Sequence, residues 1–309
     1  MRYANPIRMR RMWFSALSIA LPFLSLSPLA AAKDAASCGP GVELHLSSPE
    51  SSQGSLLLAT LKSAKPLDNV TADWDGRTIP FWGETGNDAV QSGLVGVDLE
   101  KPPGAYELKV TVQMAAGDKV ACSMTLSVNA GHFATEKLQV ARQFVEPTPE
   151  QIRRADEEGK RLREIFDRIT PERLWDGAFR MPLDAATSGT NFGKRRVLNG
   201  QPRSPHTGMD FPAMTGTPVH AAQRGRVALA RNLFFSGNTV VVDHGLGIYT
   251  FYGHLSEIAV KEGDSVEAGA VLGKVGATGR ATGPHLHWGL TVQRARVNPL
   301  QIVKLLQGD

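Results

Sequence analysis

Five side chains in this sequence could do chemistry together. His206 and Asp210 stand four positions apart in His206-Thr-Gly-Met-Asp210, His285 and His287 flank a single leucine, and His254 lies between the two pairs in Tyr252-Gly253-His254-Leu255. Imidazole nitrogens and a carboxylate oxygen form a borderline-soft donor set that suits zinc. Three such ligands leave a fourth position for water, the composition of a hydrolytic centre. In an extended strand alternate side chains share a face, so His285, His287, Gly289 and Thr291 lie on one side and Leu286, Trp288, Leu290 and Val292 on the other. That describes a half-buried strand with two histidines on its wet face, about 7 Å apart between Cα atoms. One can ligate a metal while the other works beside it. A helix would also bring His206 and Asp210 together, but Gly208 and the Phe211-Pro212 pair oppose one, so the expected host is a loop entering a strand.

A lone histidine is usually a satisfied core or surface residue, and it is the conjunction that carries weight. H-x-x-x-D, then Y-G-H-L, then H-x-H, in that order from about Met181 to Pro299, resembles the lysostaphin-type family of zinc endopeptidases, which cut peptidoglycan peptides. The resemblance implies that His206, Asp210 and His287 ligate zinc and that His285 and His254 stay unligated. His285 would then carry a proton from the attacking water to the leaving amine. His254 would orient that water or stabilise the oxyanion, and the two roles are open to exchange. The segment Gly189-Thr-Asn-Phe-Gly-Lys-Arg-Arg196 resembles the turn that precedes the first ligand in that family. Within it Asn191 is a candidate to approach the metal, with an ordinary turn residue as the simpler reading. Of the remaining histidines, His244 is a weaker candidate to line the groove, His220 has no assigned role, and His45 and His132 read as bland. No H-E-x-x-H, C-x-x-C or G-x-S-x-G occurs, so a thermolysin-like site, an ordinary structural zinc finger and a serine-hydrolase elbow are not indicated.

The elements that must position these residues are also partly legible. Gly216-Thr-Pro-Val219-His-Ala221 with Gly225-Arg-Val227 resembles Gly263-Asp-Ser-Val266-Glu-Ala268 with Gly273-Lys-Val275. Two copies of one β unit mark a duplicated hybrid motif, the fold of the resembled family. Between the copies, Thr239 to Val242 and Ile248 to Tyr252 flank Gly245-Leu-Gly247 and read as a hairpin that delivers His254 to the groove. Upstream, Thr148 is a helix N-cap with Pro149 at the first helical position and Gln151 completing a capping box. Ile152, Ala155, Leu162, Ile165, Phe166 and Ile169 form an apolar stripe, and Thr170-Pro171-Glu172 resembles a second cap opening a short helical turn. A nucleic-acid or partner helix is the alternative to a solvated linker there. From Cys38 to about Ala130, short alternating runs at 42–46, 55–61, 104–113 and 119–128 are separated by turn residues, which suggests an immunoglobulin-like β-sandwich.

The expected organisation is mainly β: a signal peptide at 1–32, a β-sandwich-like N-terminal domain at 33–131, a helical linker at 132–180 and a C-terminal zinc peptidase domain of duplicated hybrid motif type at 181–309. The first segment has a basic start (Arg2, Arg8, Arg10, Arg11), an apolar run and an Ala30-Ala31-Ala32 exit, a secretory pattern; an uncleaved anchor is the alternative. Residues 1–32 hold four arginines and no acid, so their removal takes Lys plus Arg from 34 to 30, equal to the 30 Asp plus Glu. No nucleic-acid interaction and no stable membrane insertion of the mature chain are expected. Cys38 and Cys122 read as a disulfide of an exported protein, worth about 4 kcal/mol by loop closure, with lipidation of Cys38 as the alternative. The sequence thus points to a periplasmic or cell-envelope enzyme acting on peptidoglycan, its N-terminal domain a candidate cover for the groove. A catalytically silent wall-binding or hydrolase-activating protein of the same fold is the main rival, and a metal-handling protein a further one.

Overall fold

The computed structural model describes residues 34–84, 86–184, 189 and 191–307, so the expected signal segment lies outside the described residues. The chain is mainly β. Its first ten strands are β1 (Ala35–Gly39), β2 (Val42–Leu46), β3 (Glu50–Ser52), β4 (Leu56–Ser63), β5 (Leu67–Trp74), β6 (Arg77–Pro80), β7 (Trp82–Glu84), β8 (Asn87–Gly96), β9 (Gly104–Met114) and β10 (Lys119–Asn129). They form two five-stranded sheets, β1-β2-β4-β8-β7 and β3-β10-β9-β5-β6. Alternation along each strand sends Leu44, Leu61, Trp74, Ile79, Val95, Leu108 and Leu126 into a core sealed from water. Cys38 of β1 is bonded to Cys122 of β10, so the bridge ties one sheet to the other.

The next segment departs from the expected helical linker. It begins with a strand, β11 (Thr135–Leu138), and only α1 (Pro149–Phe166) is an α-helix. Its N-terminus is built as the sequence indicates, with Thr148 and Gln151 in a reciprocal capping box and Pro149 opening the helix. Of the apolar stripe, Ile165 is buried and Leu162 and Phe166 pack on Leu229, Val241 and Tyr249. Ile152 and Ile169 are instead 46% and 41% exposed, outside that contact. The expected helical turn at Thr170-Pro171-Glu172 is absent. The Thr170 hydroxyl donates to Asp243 Oδ2 at 2.6 Å, its carbonyl accepts from the Leu246 N–H at 2.7 Å and Arg173 is bridged to Gly245, so the backbone groups of this bend are satisfied by the neighbouring hairpin instead of by a helical turn.

The C-terminal half comprises β12 (Arg195–Leu198), β13 (Gln201–Pro202), β14 (Gly208–Pro212), β15 (Pro218–His220), β16 (Gly225–Leu233), β17 (Gly237–Asp243), β18 (Ile248–Leu255), β19 (Glu257–Ile258), β20 (Ser265–Val266), β21 (Val271–Lys274), β22 (His285–Val292), β23 (Ala295–Val297) and the short α2 (Leu300–Leu305). A seven-stranded sheet runs β14-β22-β18-β17-β16-β20 with β23 beside β22; β15-β21-β19 and β11-β12-β13 form two small sheets. The repeated sequence unit is a repeated structure. The first strand of each copy pairs with the second strand of the other, β15 with β21 and β20 with β16. Equivalent glycines Gly216 and Gly263 take the same left-handed backbone, φ 93° and 94°, and Val219 and Val266 are both buried.

The described residues form one compact unit. Leu56 and Leu94 of the sandwich join the core that contains Trp288 and Leu290. Asp98 grips Arg296 through two oxygens at 2.6 and 2.9 Å, and Arg77 donates to the Gln293 carbonyl at 3.2 Å.

Candidate metal centre and its groove

β22 is the central strand of the site. It pairs with β14 so that Asp210 lies directly opposite His287 and Pro212 opposite His285, and with β18 so that Gly253 lies opposite His287. Cross-strand partners project on the same face, which brings the Asp210 carboxylate to the His287 ring without any loop contribution. His206 sits in the loop just before β14, held on both sides by backbone bonds to the 193–194 turn. Gly208 between them has a steric reason: a Cβ there would lie 2.6 Å from His287 Nε2.

Three atoms able to ligate a metal converge. His206 Nε2 lies 2.9 Å from His287 Nδ1 and 3.0 Å from Asp210 Oδ1, and His287 Nδ1 lies 2.9 Å from the same oxygen. The Nδ1–H of His206 donates to the Asn191 carbonyl at 3.0 Å, so its Nε2 presents a lone pair. A lone pair on nitrogen thus faces a carboxylate oxygen, and protonating His206 to relieve this is disfavoured because burial pushes its pKa down to about 4. Burial alone would raise Asp210, yet the His206 and His287 rings packed against it hold its carboxyl far below the usual range. This acceptor-rich triangle fits a divalent cation, and its two-imidazole, one-carboxylate composition fits zinc. Among the described residues it is the only His/Cys/Asp/Glu cluster with such geometry.

Two further histidines complete the site. His285 Nδ1–H donates to the Gly283 carbonyl at 2.8 Å, leaving its Nε2 as an acceptor 3.7 Å from Asp210 Oδ1. His254 Nδ1–H donates to the Thr278 carbonyl at 2.8 Å. Its ring centre is 4.8 Å from that of His285 and 5.9 Å from that of His287. Burial, with His287 and His285 beside it, pushes the His254 pKa down to about 3. His254 also holds a left-handed backbone, φ 63°, uncommon for a non-glycine and concentrated at functional sites.

All five residues singled out by the sequence therefore meet, whereas His244 does not join them. It is fully buried, bonded to the Arg224 carbonyl and the Thr250 hydroxyl, with burial pushing its pKa down to about 4. His220 lies elsewhere, against the Gly269 carbonyl. Asn191 exceeds a turn role. Its side-chain amide donates to Asp210 Oδ2 at 2.9 Å and accepts from the Asp210 backbone N–H at 2.9 Å. Arg196 was not anticipated: it donates to the same Oδ2 at 3.0 Å. The only sequence signal for it is the Lys194-Arg195-Arg196 run; Arg196 of β12 reaches Asp210, and Lys194, just before that strand, pairs with Glu136 at 2.9 Å.

The centre lies in a groove with two arms. One, about 700 Å³, is lined by His206, His254 and His287 with Phe166 of α1, Phe251 and Leu290. The other, about 280 Å³, is lined by Asp210, His254 and His285 with Leu138 of β11, Leu198 and Pro284. The walls thus come from β11, α1 and the C-terminal strands and loops, and the described sandwich residues contribute Asp98 to the lining.

Residues 204–299 match the model of peptidase family M23. The chain is 38% identical over 147 residues to the peptidoglycan DD-endopeptidase ShyA of Vibrio cholerae, covering 47% of this chain and 32% of that protein. It is 41% identical over 108 residues to the DD-carboxypeptidase/endopeptidase Mpg of Neisseria meningitidis, covering 34% and 25%. The match therefore spans a third or less of these curated relatives. A crystal structure of a putative peptidase M23 from Pseudomonas aeruginosa is 32% identical, covers 82% of this chain and 95% of its own, and superposes with a TM-score of 0.63.

Proposed function

The chain belongs to peptidase family M23, and from that premise we propose that it is an exported zinc metalloendopeptidase that hydrolyses peptide bonds of peptidoglycan. The observation that carries this reading is the triangle of His206 Nε2, His287 Nδ1 and Asp210 Oδ1 with the free Nε2 of His285 beside it. His206, Asp210 and His287 would hold the zinc ion, which when bound lowers the pKa of water to about 7 and polarises a carbonyl. His285 accepts the proton of the attacking water at Nε2 and returns it to the leaving amine, while the Gly283 carbonyl steadies Nδ1–H throughout. His254 is the poorer proton carrier because its burial disfavours the imidazolium. With Nδ1–H committed to Thr278, its Nε2 is an acceptor suited to orienting the water rather than donating to an oxyanion. Asn191 and Arg196 fix the second Asp210 oxygen so that the first faces the histidines.

The peptidoglycan substrate is supported by the activities for which the relatives are named, and export by the basic-apolar start of the chain and by a disulfide, which persists in oxidising compartments. The sandwich is taken to brace the groove rather than to cover it, since the described walls belong to β11, α1 and the catalytic strands. The test is incubation of the zinc-loaded protein with purified sacculi and analysis of the released muropeptides. Cleavage of peptide bonds supports the assignment, and binding without release supports a silent wall-binding protein instead.

A further inference from the structure

Arg280 sits in the loop between β21 and β22, and that loop is firmly built. Its backbone N–H donates to the Phe235 carbonyl at 2.8 Å; neighbouring Thr278 bonds Leu255 O at 2.7 Å and fixes His254 through its own carbonyl. The guanidinium lies over the Phe235 ring, 4.6 Å from its centre, and lines both arms of the groove beside the metal centre. Its charge has no answer among the described residues. The acids lining the groove are engaged elsewhere: Asp210 with two histidines and Arg196, Glu136 with Lys194, Asp98 with Arg296 and Asp167 with Arg294. Guanidinium groups with a structural task in this chain end on acceptors, as Arg296 does on Asp98 and Arg203 on the Val145 carbonyl at 2.8 Å. Arg280 is half-buried and has none among the described residues. Burial, with Arg196 and Arg203 beside it, pushes its pKa down to about 10, which leaves it fully charged at neutral pH. Leaving a half-buried cation unpaired costs free energy, so the position is set up for an anion the chain does not supply.

We propose that Arg280, in a cationic corner shared with Arg196 and Arg203, binds a carboxylate of the peptide substrate next to the scissile bond and so determines specificity. The proposal takes from the peptidase reading only that the ligand is a peptide. A stacked guanidinium keeps its in-plane N–H fork for a bidentate acceptor, and a carboxylate matches that fork. The carboxylate could be the peptide's C-terminus or a side chain, and the two differ in which amidation abolishes recognition.

The test uses the full-length, zinc-loaded protein and a soluble peptidoglycan-derived peptide in three forms: free acid, C-terminal carboxamide and side-chain carboxamide. Dissociation constants by calorimetry and KM and kcat by chromatography are measured for the wild type, Arg280→Ala and Arg280→Lys, with melting temperatures as a folding control. The wild type should prefer the free acid over one of the two amides by about 10- to 100-fold, the range of a charged hydrogen-bonded contact. Arg280→Ala should bring that ratio close to one, and Arg280→Lys should keep part of it. Equal wild-type affinity for all three peptides, or an equal loss on acid and amide in both variants, would overturn the proposal. Selective binding of the acid without cleavage would count against the peptidase reading and leave this inference standing; cleavage without selectivity would do the reverse.

Discussion

The β-sandwich and the C-terminal β domain obey the same alternation rule and deal with polar groups in opposite ways. In the sandwich, Lys101 is buried, and the chain answers it fully with Asp75 at 2.8 Å and the face of Tyr106 at 3.5 Å. Its one histidine on a strand, His45, points outward to Glu43 at 3.2 Å. In the C-terminal domain the polar face of β22 looks into a walled groove, and there His206, Asp210 and His287 answer one another with acceptors, while Arg280 is answered by nothing described. The difference teaches where to look for function in a chain of this kind. Buried polarity that closes on itself reads as structural, and the polarity left open coincides with the places proposed above to take a metal ion and a substrate.

That contrast can be broken by mutation. The largest effect belongs to the ligand set: His206→Ala should lower muropeptide release from sacculi at least ~1,000-fold, consistent with loss of a catalytic centre rather than of one contact. His45→Ala, its counterpart in the sandwich, should leave release unchanged. Replacing Cys38 and Cys122 together with Ala should cost about 4 kcal/mol in urea unfolding, because the bridge closes a loop of 84 residues, without altering the zinc content of the folded protein. Lys101→Ala should cost about 1–3 kcal/mol in the same assay, because it removes a buried side chain packed on the Trp74 and Tyr106 rings, again with the candidate metal centre intact.

The smallest expected effect sits on the joint between the two regions. Asp98→Asn should cost about 1–2 kcal/mol, since it weakens the grip on Arg296. Burial would raise the Asp98 pKa, but hydrogen bonds from Arg296 hold it below its ordinary value. Because the folded value is depressed, the stability it contributes is present above the unfolded pKa of about 4 and is lost as pH falls below that. Unfolding free energies from pH 7 to pH 2 should therefore converge for wild type and Asp98→Asn at the acid end. Curves that stay parallel would show that this pair does not join the regions electrostatically.

Much of the site was legible because its logic is local. Alternation in His285-Leu-His287, the capping box at Thr148 and the glycine-bounded hairpin before His254 each depend on a few adjacent residues, and the echo of Gly216 in Gly263 reflects one backbone conformation used twice. What escaped depends on contacts distant in sequence. β8 is poor in β-formers because Gly93 must admit Phe81, whose ring would stand 2.9 Å from a Cβ there. Thr170 looked like a cap until a hairpin edge offered it a better partner. His244 occupies a core position that no pattern in its neighbourhood distinguishes from a groove position. Arg196 reaches Asp210 only because β11, nearly sixty residues earlier, pairs with β12 and sets its register.

The central claim is that the two histidines of β22 have different tasks, His287 on the metal and His285 on the proton. It is tested most directly by measuring bound zinc in His285→Ala and His287→Ala, purified in parallel, together with their cleavage of sacculi. The account predicts that His285→Ala retains zinc at the wild-type stoichiometry and loses cleavage by roughly 100- to 10,000-fold, the range for removal of a general acid-base group, while His287→Ala loses zinc and cleavage together. Zinc lost from His285→Ala and kept by His287→Ala would contradict it.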